Sequence, residues 1–285
     1  MTDCPYACPP CVREKLDARC APDQSRAVDR HLRYATGRLA QQLPANAKIL
    51  DFGCGIGDSV RVLLALGYDA YGIDVVEYWD RDLDKYWYVA NKPTADVAAR
   101  LKLIDVRRYR LPFDDDTFDF CFSDQVFEHI FDYKTVMSEI ARVLKPGAIS
   151  LHHFPGPNNF MEGHINLPFP WLCDSRWYLT ICAWIGFVRG TNSDWRRSVR
   201  DWVELMRFNN YPTKRRLHKL ARSAGVDIAF VEADEFRFRQ GSHLKTQLLR
   251  LLRAIKLDQP VVRIVGLVLL QRYMILGRRS SAPTR

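Results

Sequence analysis

No stretch of this 285-residue chain reaches the roughly 20 consecutive apolar residues needed to span a bilayer, and its first 30 residues lack the apolar core of a signal peptide. The cytoplasm is therefore the expected compartment, and no disulfide framework is expected there. Internal repeats and low-complexity tracts are missing too, which excludes solenoids and fibrous folds. Acid is scarce in one half only. Residues 156–285 hold 10 Asp+Glu against 22 Lys+Arg, whereas residues 1–155 hold 23 against 20. Such a basic half suits an acidic substrate, anionic headgroups, nucleic acid or simply a solvated surface.

What is present is ordinary globular material, 47% apolar and 26% charged, enough for one large α/β domain with insertions. Of eight cysteines, Cys54, Cys121, Cys173 and Cys182 sit in apolar settings and read as core residues. Cys4, Cys8, Cys11 and Cys20 crowd a Pro-rich start, either as a zinc knuckle or as an unstructured tail. The C-x3-C-x2-C spacing of Cys4, Cys8 and Cys11 resembles the radical S-adenosylmethionine signature, but only three residues precede Cys4 and that reading is rejected.

From Ser25, Val28, Leu32, Ala35 and Leu39 recur at helical spacing up to Pro44. Strands are expected at Ile49 to Phe52, Asp69 to Asp74, Leu101 to Asp105, Phe118 to Ser123 and Ile149 to Phe154, with helices from Ser59 to Leu66 and over 132–144. Residues 77–98 form an aromatic-rich detour. A helix from Tyr211-Pro212-Thr213 to Gly225, a sixth strand from Val226 to Val231, amphipathic helices in 243–270 and a short seventh strand from Tyr273 to Leu276 complete the pattern. The expected fold is α/β: a doubly wound, mostly parallel seven-stranded Rossmann-like sheet with an inserted lid after strand five. Its divisions are a Cys/Pro-rich tail (1–24), a cofactor-binding core (25–155), an acceptor-side insertion or lid (156–211) and the C-terminal part of the core (212–280).

The central stretch is Lys48-Ile49-Leu50-Asp51-Phe52-Gly53-Cys54-Gly55-Ile56-Gly57-Asp58. An apolar strand ends in a carboxylate and runs through three alternate glycines into a helix, so a ligand can approach the backbone at a sheet's carboxyl edge. A dinucleotide fold would carry its third glycine where Asp58 stands. The spacing resembles the first motif of the class I S-adenosylmethionine-dependent methyltransferases, with a methyltransferase type 11-like domain. Leu111-Pro112-Phe113-Asp114 with Thr117-Phe118-Asp119, then Ser123 to Ile130, and Val143 to Ala148 resemble later landmarks of that family, in order.

The resemblance implies S-adenosyl-L-methionine as cofactor. Asp51, Gly53, Gly55 and Gly57 would face its methionine part and Asp74 its ribose. Asp105 and the Val106 amide would meet its adenine, and Ser123 would stand beside it. The expected activity is transfer of a methyl group to a small-molecule, glycan or lipid-linked acceptor, at oxygen. The alternatives are an RNA methyltransferase and a non-catalytic cofactor-binding scaffold. No Asn-Pro-Pro-Tyr-like stretch or Pro-Cys pair follows the fourth strand, which disfavours nucleic acid.

A hydroxyl acceptor needs a proton acceptor. The candidates are His129, His152, His153 and His164, with His129 and a Glu162–His164 pair preferred. His129 follows Glu128 as in the ubiquinone-pathway O-methyltransferases, some of which hold a metal through Glu-x-x-Glu-His. Gln125 replaces the first acid, so no metal is expected. His152 and His153 are adjacent in a strand and face opposite sides. The stretch Glu162-Gly163-His164-Ile165-Asn166-Leu167-Pro168-Phe169 resembles a Glu-x-His-x-x-x-Pro-Phe segment of bacterial methyltransferases. Residues 178–188 are apolar and Trp171, Trp177, Trp184, Trp195 and Trp202 cluster nearby, which suits a packed lid helix or peripheral contact with the inner face of the membrane. Lys214, Arg215, Arg216, Lys219 and Arg222 read as a solvated helix face or an anion site.

Overall fold

The computed structural model describes residues 22–77, 93–157, 159–162, 165, 167–169, 172–173, 175–185, 195–206, 209–238, 243–262 and 271–278. The N-terminal cysteines, most of the aromatic detour and His164 lie outside the described residues.

Strands β1 (Lys48–Phe52), β2 (Asp69–Asp74), β3 (Leu101–Leu103), β4 (Phe118–Asp124) and β5 (Leu144–Phe154) alternate with helices. These are α1 (Pro22–Arg33), running into a π-helical turn (Tyr34–Arg38), α2 (Asp58–Ala65), α3 (Ala95–Ala98) and α4 (Tyr133–Val143). After β5 come a short hairpin of β6 (Met161–Glu162) and β7 (Leu167–Pro168), then α5 (Arg176–Trp184) and α6 (Trp195–Met206). The chain closes with α7 (Lys214–Ala224), β8 (Val226–Phe230), α8 (Glu232–Phe238), α9 (His243–Ala254) and β9 (Arg272–Arg278).

Seven strands form one sheet in the order β3-β2-β1-β4-β5-β9-β8, with β9 antiparallel to both its neighbours. The order reverses between β1 and β4, which in such sheets sets the crevice for ligands at the strands' carboxyl ends. The burial of β1 explains its continuous apolar run: Ile49, Leu50 and Phe52 are covered on both faces. One face carries Leu50, Phe52 and Cys121 under α4 and α7; the other carries Ile49, Phe120 and Phe122 under α1 and α2.

The helices start and stop on local chemistry. Asp132 accepts the Thr135 amide at 3.1 Å before α4, and Thr213 accepts the Arg216 amide at 3.2 Å before α7. Gly225 ends α7 in the left-handed region (φ 70°). The landmarks of the sequence brace one another. Arg142 donates to the carbonyls of Phe113 (2.8 Å) and Leu111 (3.0 Å), and Lys145 pairs with Asp119 at 2.7 Å.

Some details depart from expectation. β3 stops at Leu103, so Asp105 lies in the turn beyond it. Within 156–211 the described residues have their own hairpin and their own small core of Ile165, Leu167, Cys173, Leu179, Cys182, Val199 and Trp202. Cys54, Cys121, Cys173 and Cys182 are buried free thiols. Among the described residues no helix is long and apolar enough to cross a membrane.

Candidate functional site

The turn after β1 is shaped by positive φ at Gly53 (84°), Gly55 (53°) and Gly57 (84°). The Gly53 and Cys54 amides both donate to the Ile73 carbonyl, at 2.8 and 2.9 Å, folding the loop back over β2. A Cβ on Gly53 would stand 2.3 Å from Val126 Cγ2, whereas one on Gly55 would meet nothing within 4 Å. Gly53 is thus closed in by protein, and Gly55 leaves its backbone open to the crevice.

Asp74 organises this loop. Its carboxylate accepts the Gly55 amide at 2.9 Å and the Val75 and Val76 amides at 2.7 and 3.2 Å. Burial raises its pKa, and those three amides restrain the rise. His129 lies within electrostatic reach of it, with its side chain 39% exposed and Nε2 3.9 Å from Glu128.

Asp51 is only 4% exposed. Burial first, then the charges of Asp74 and Asp124, push its pKa up to about 8, against a hydrogen bond from Ser59. Three carboxylates therefore converge where β1, β2 and β4 end, and an added cation would relieve them. The sign for stability follows from linkage: the folded protein holds a proton on Asp51 that the unfolded chain has lost above about pH 4. That stability is complete below pH 4 and is lost as pH rises through about 8. Asp51→Asn is thus expected to gain melting temperature over the parent as pH rises from 5 to 9. A constant difference across that range would refute the burial effect.

Asp105 is solvent-exposed, its carboxylate accepting the Arg107 amide at 2.9 Å, and Val106 beside it is 45% exposed. The strand expected to run to Asp105 ends two residues earlier and leaves this acid in solvent. Ser123 lies near the end of β4. It is fully buried, and its hydroxyl is 2.8 Å from His152 Nδ1. The other ring nitrogen of His152 is 2.8 Å from Ser150 Oγ, and burial drives this histidine far below its usual pKa. His152 is a core residue. Glu162 lies on β6 at the hairpin that follows β5.

His153 faces the other way and enters a polar cluster that the sequence reading missed. Its Nδ1 lies 3.0 Å from Asp124 Oδ1 and 2.9 Å from Arg30 Nη1. Arg30 also reaches Asp124 at 3.4 Å, and buried His31 stands 3.6 Å from the same carboxylate while bonding the Tyr273 hydroxyl at 2.9 Å. Burial would raise Asp124, but His153 in hydrogen-bond range and His31 close by hold it well below the usual carboxylate range. The available signal was Arg30-His31 itself, a polar pair inside the apolar stripe of α1. Asp124 lies on the same face as Asp51, because Asp51 pairs with Phe122 and the pleat repeats every two residues. Lys214 of the basic helix pairs with Glu232, and Arg216 lies over the Tyr133 ring at 5.5 Å; Arg215 and Arg222 are exposed. Among the described residues no group of three or more His, Cys, Asp or Glu is arranged to hold a metal ion.

A methyltransferase-domain family profile matches residues 50–152, the span from β1 to β5 that builds this crevice. Residues 50–152 thus match a methyltransferase domain. The chain is 30% identical over 125 residues to a sterol 24-C-methyltransferase of Gibberella zeae, covering 44% of the present chain and 31% of the relative. It is 31% identical over 129 residues to the 27-O-demethylrifamycin SV methyltransferase of Amycolatopsis mediterranei, covering 44% and 45%. The chain thus spans less than half the length of either curated relative. Among solved structures, geranyl diphosphate C-methyltransferase of Streptomyces coelicolor A3(2) is similar at 14% identity and a TM-score of 0.45, covering 90% of this chain and 79% of that one.

Proposed function

We propose that this chain uses S-adenosylmethionine to methylate an oxygen of a small-molecule, glycan or lipid-linked acceptor. The observation that carries the reading is Asp51, a buried carboxylate raised to about 8 beside two further acids and an open glycine backbone. A ligand bearing an ammonium and a sulfonium fits that demand for positive charge. Asp51 and the Gly53–Gly57 loop would hold its methionine part, Asp74 its ribose, and Asp105 with the Val106 amide its adenine. Ser123 would contribute through its place on β4, its hydroxyl being engaged by His152.

When bound, the cofactor supplies an already activated methyl carbon. What remains for the protein is to align the acceptor and take its proton. His153 is the side chain best supported for the second task. Asp124 would orient its ring and stabilise the imidazolium formed as the acceptor hydroxyl gives up its proton. His129, beside Asp74, remains the other candidate, and the Glu162–His164 pair would act from the hairpin side. A lipid-linked acceptor would bring the chain to the inner face of a membrane.

The test is transfer of labelled methyl from S-adenosylmethionine to a cell extract, partitioned into lipid, small-molecule and RNA fractions. Label in the first two supports the reading; label in RNA alone overturns it. With the labelled acceptor in hand, His153→Gln is expected to lower turnover about 100-fold or more and to leave cofactor affinity within about twofold. Unchanged turnover would move the proton to His129 or the Glu162–His164 pair.

A further inference from the structure

Helix α9 shows its apolar stripe to solvent. Leu248, Leu251 and Ile255 are 53%, 63% and 56% exposed, and their spacing of three and four residues puts them on one side of the helix. Among the described residues no helix or strand makes an extensive contact with α9, whose Leu249 and Leu252 are half-buried. A surface helix of a soluble domain ordinarily turns that stripe to the core. Between 243 and 257 the chain carries Lys245, Arg250, Arg253 and Lys256 and no acid. Arg250, Arg253 and Lys256 are exposed, and the first acid beyond them, Asp258, lies 3.9 Å from Arg253.

Helix α5 repeats the arrangement with larger side chains. Tyr178, Leu179, Cys182 and Ala183 are buried in the insertion's own core. On the opposite side Trp177, Ile181, Trp184 and Ile185 are 60%, 49%, 72% and 56% exposed. This helix also contains no acid and begins at Arg176.

We propose that α9, assisted by α5, lies on an anionic bilayer surface with its apolar stripe among the acyl chains and its basic residues at the headgroups. Charge decides the occupant. A helix with three cations, a fourth two residues beyond its end, no acid and exposed Leu and Ile side chains complements a surface that is apolar within and negative at its rim. The tryptophans of α5 belong to the residue type that settles at such interfaces. The proposal stands independently of the reaction catalysed.

The full chain would be sedimented with vesicles of phosphatidylcholine alone and of phosphatidylcholine with phosphatidylglycerol. Binding is expected to the second, weakly if at all to the first, and to weaken at 1 M salt, where screening acts over about 3 Å. The triple variant Leu248→Asn, Leu251→Asn, Ile255→Asn alters only exposed positions, so an unchanged melting temperature is expected, with about tenfold weaker partitioning. Trp177→Phe with Trp184→Phe would remove most of any blue shift in fluorescence on vesicle addition. Equal binding to both vesicle types, or an unaffected triple variant, would overturn the proposal. So would concentration-dependent dimerisation, abolished by the triple variant, in a chain that ignores vesicles; the stripe would then be an interface between copies.

Discussion

Gly53→Ala is expected to abolish measurable S-adenosylmethionine binding and to lower the melting temperature. At φ 84° a residue with a β-carbon sits in the left-handed region, at about 1–2 kcal/mol. The added methyl would also stand 2.3 and 2.9 Å from the two Val126 methyls. Overpacking of this kind costs about 1–3 kcal/mol. For a domain of this size the sum corresponds to a fall of roughly 5–15 °C. Relief requires Val126 to move, and Val126 opens the turn that carries His129, whose amide donates to the Val126 carbonyl at 2.9 Å. The cofactor loop and the acceptor side are thus disturbed together. Adding Val126→Ala should restore part of the melting temperature but not the φ penalty. No recovery in the double variant would show that backbone strain alone is responsible.

The second large effect is expected from Asp74→Ala. Three amides of two different turns converge on this carboxylate, and a hydrogen bond to a charged group is worth about 1.5–3 kcal/mol. Part of that stabilisation is recovered by water, because Asp74 sits at the crevice rather than in the core. Cofactor affinity is therefore expected to fall about 100-fold while the protein stays folded, for the β2 backbone pairing with β1 does not use this side chain. Asp74→Asn keeps acceptor capacity for the amides but loses the charge, and should fall between the two. Affinity unchanged in Asp74→Ala would remove the residue from the cofactor site.

The central sheet was legible because its strands are buried on both faces and so read as short continuous apolar runs, each closed by a turn residue. β1, β2 and β4 match their expected limits within one residue. β5 starts five residues early, since Lys145-Pro146-Gly147 reads as a helix stop and conceals a strand whose far end is apolar. α8 was missed: Glu232, Asp234 and Glu235 look like a solvated turn, yet Glu232 and Glu235 are buried and Glu232 pairs with Arg272 at 3.3 Å. The hairpin of β6 and β7 escaped because strands of two residues have no period to detect.

Within the candidate site, motif-bound residues were readable and long-range ones were not. Asp51, Gly53 and Asp74 are local to turns, so sequence spacing carries their geometry. The Arg30–Asp124–His153 cluster joins residues 94 and 123 positions apart. Only the parallel pairing of β4 with β5, and the seating of α1 across their ends, brings them together. Periodicity could say that one of His152 and His153 is packed, but not which. The Ser123 and Ser150 hydroxyls decide that it is His152.

The most direct test is calorimetric titration of the intact chain at pH 7 with S-adenosylmethionine and, separately, with NADH, each in buffers of different ionisation enthalpy. Saturable binding of S-adenosylmethionine alone is predicted, with release of up to about one proton as Asp51, raised to about 8, meets the ligand's positive charge. In Asp51→Asn that proton release should vanish and affinity should drop. Binding of NADH instead, or of neither compound, would contradict the account. Tight binding of S-adenosylmethionine with no proton release would contradict the place given to Asp51.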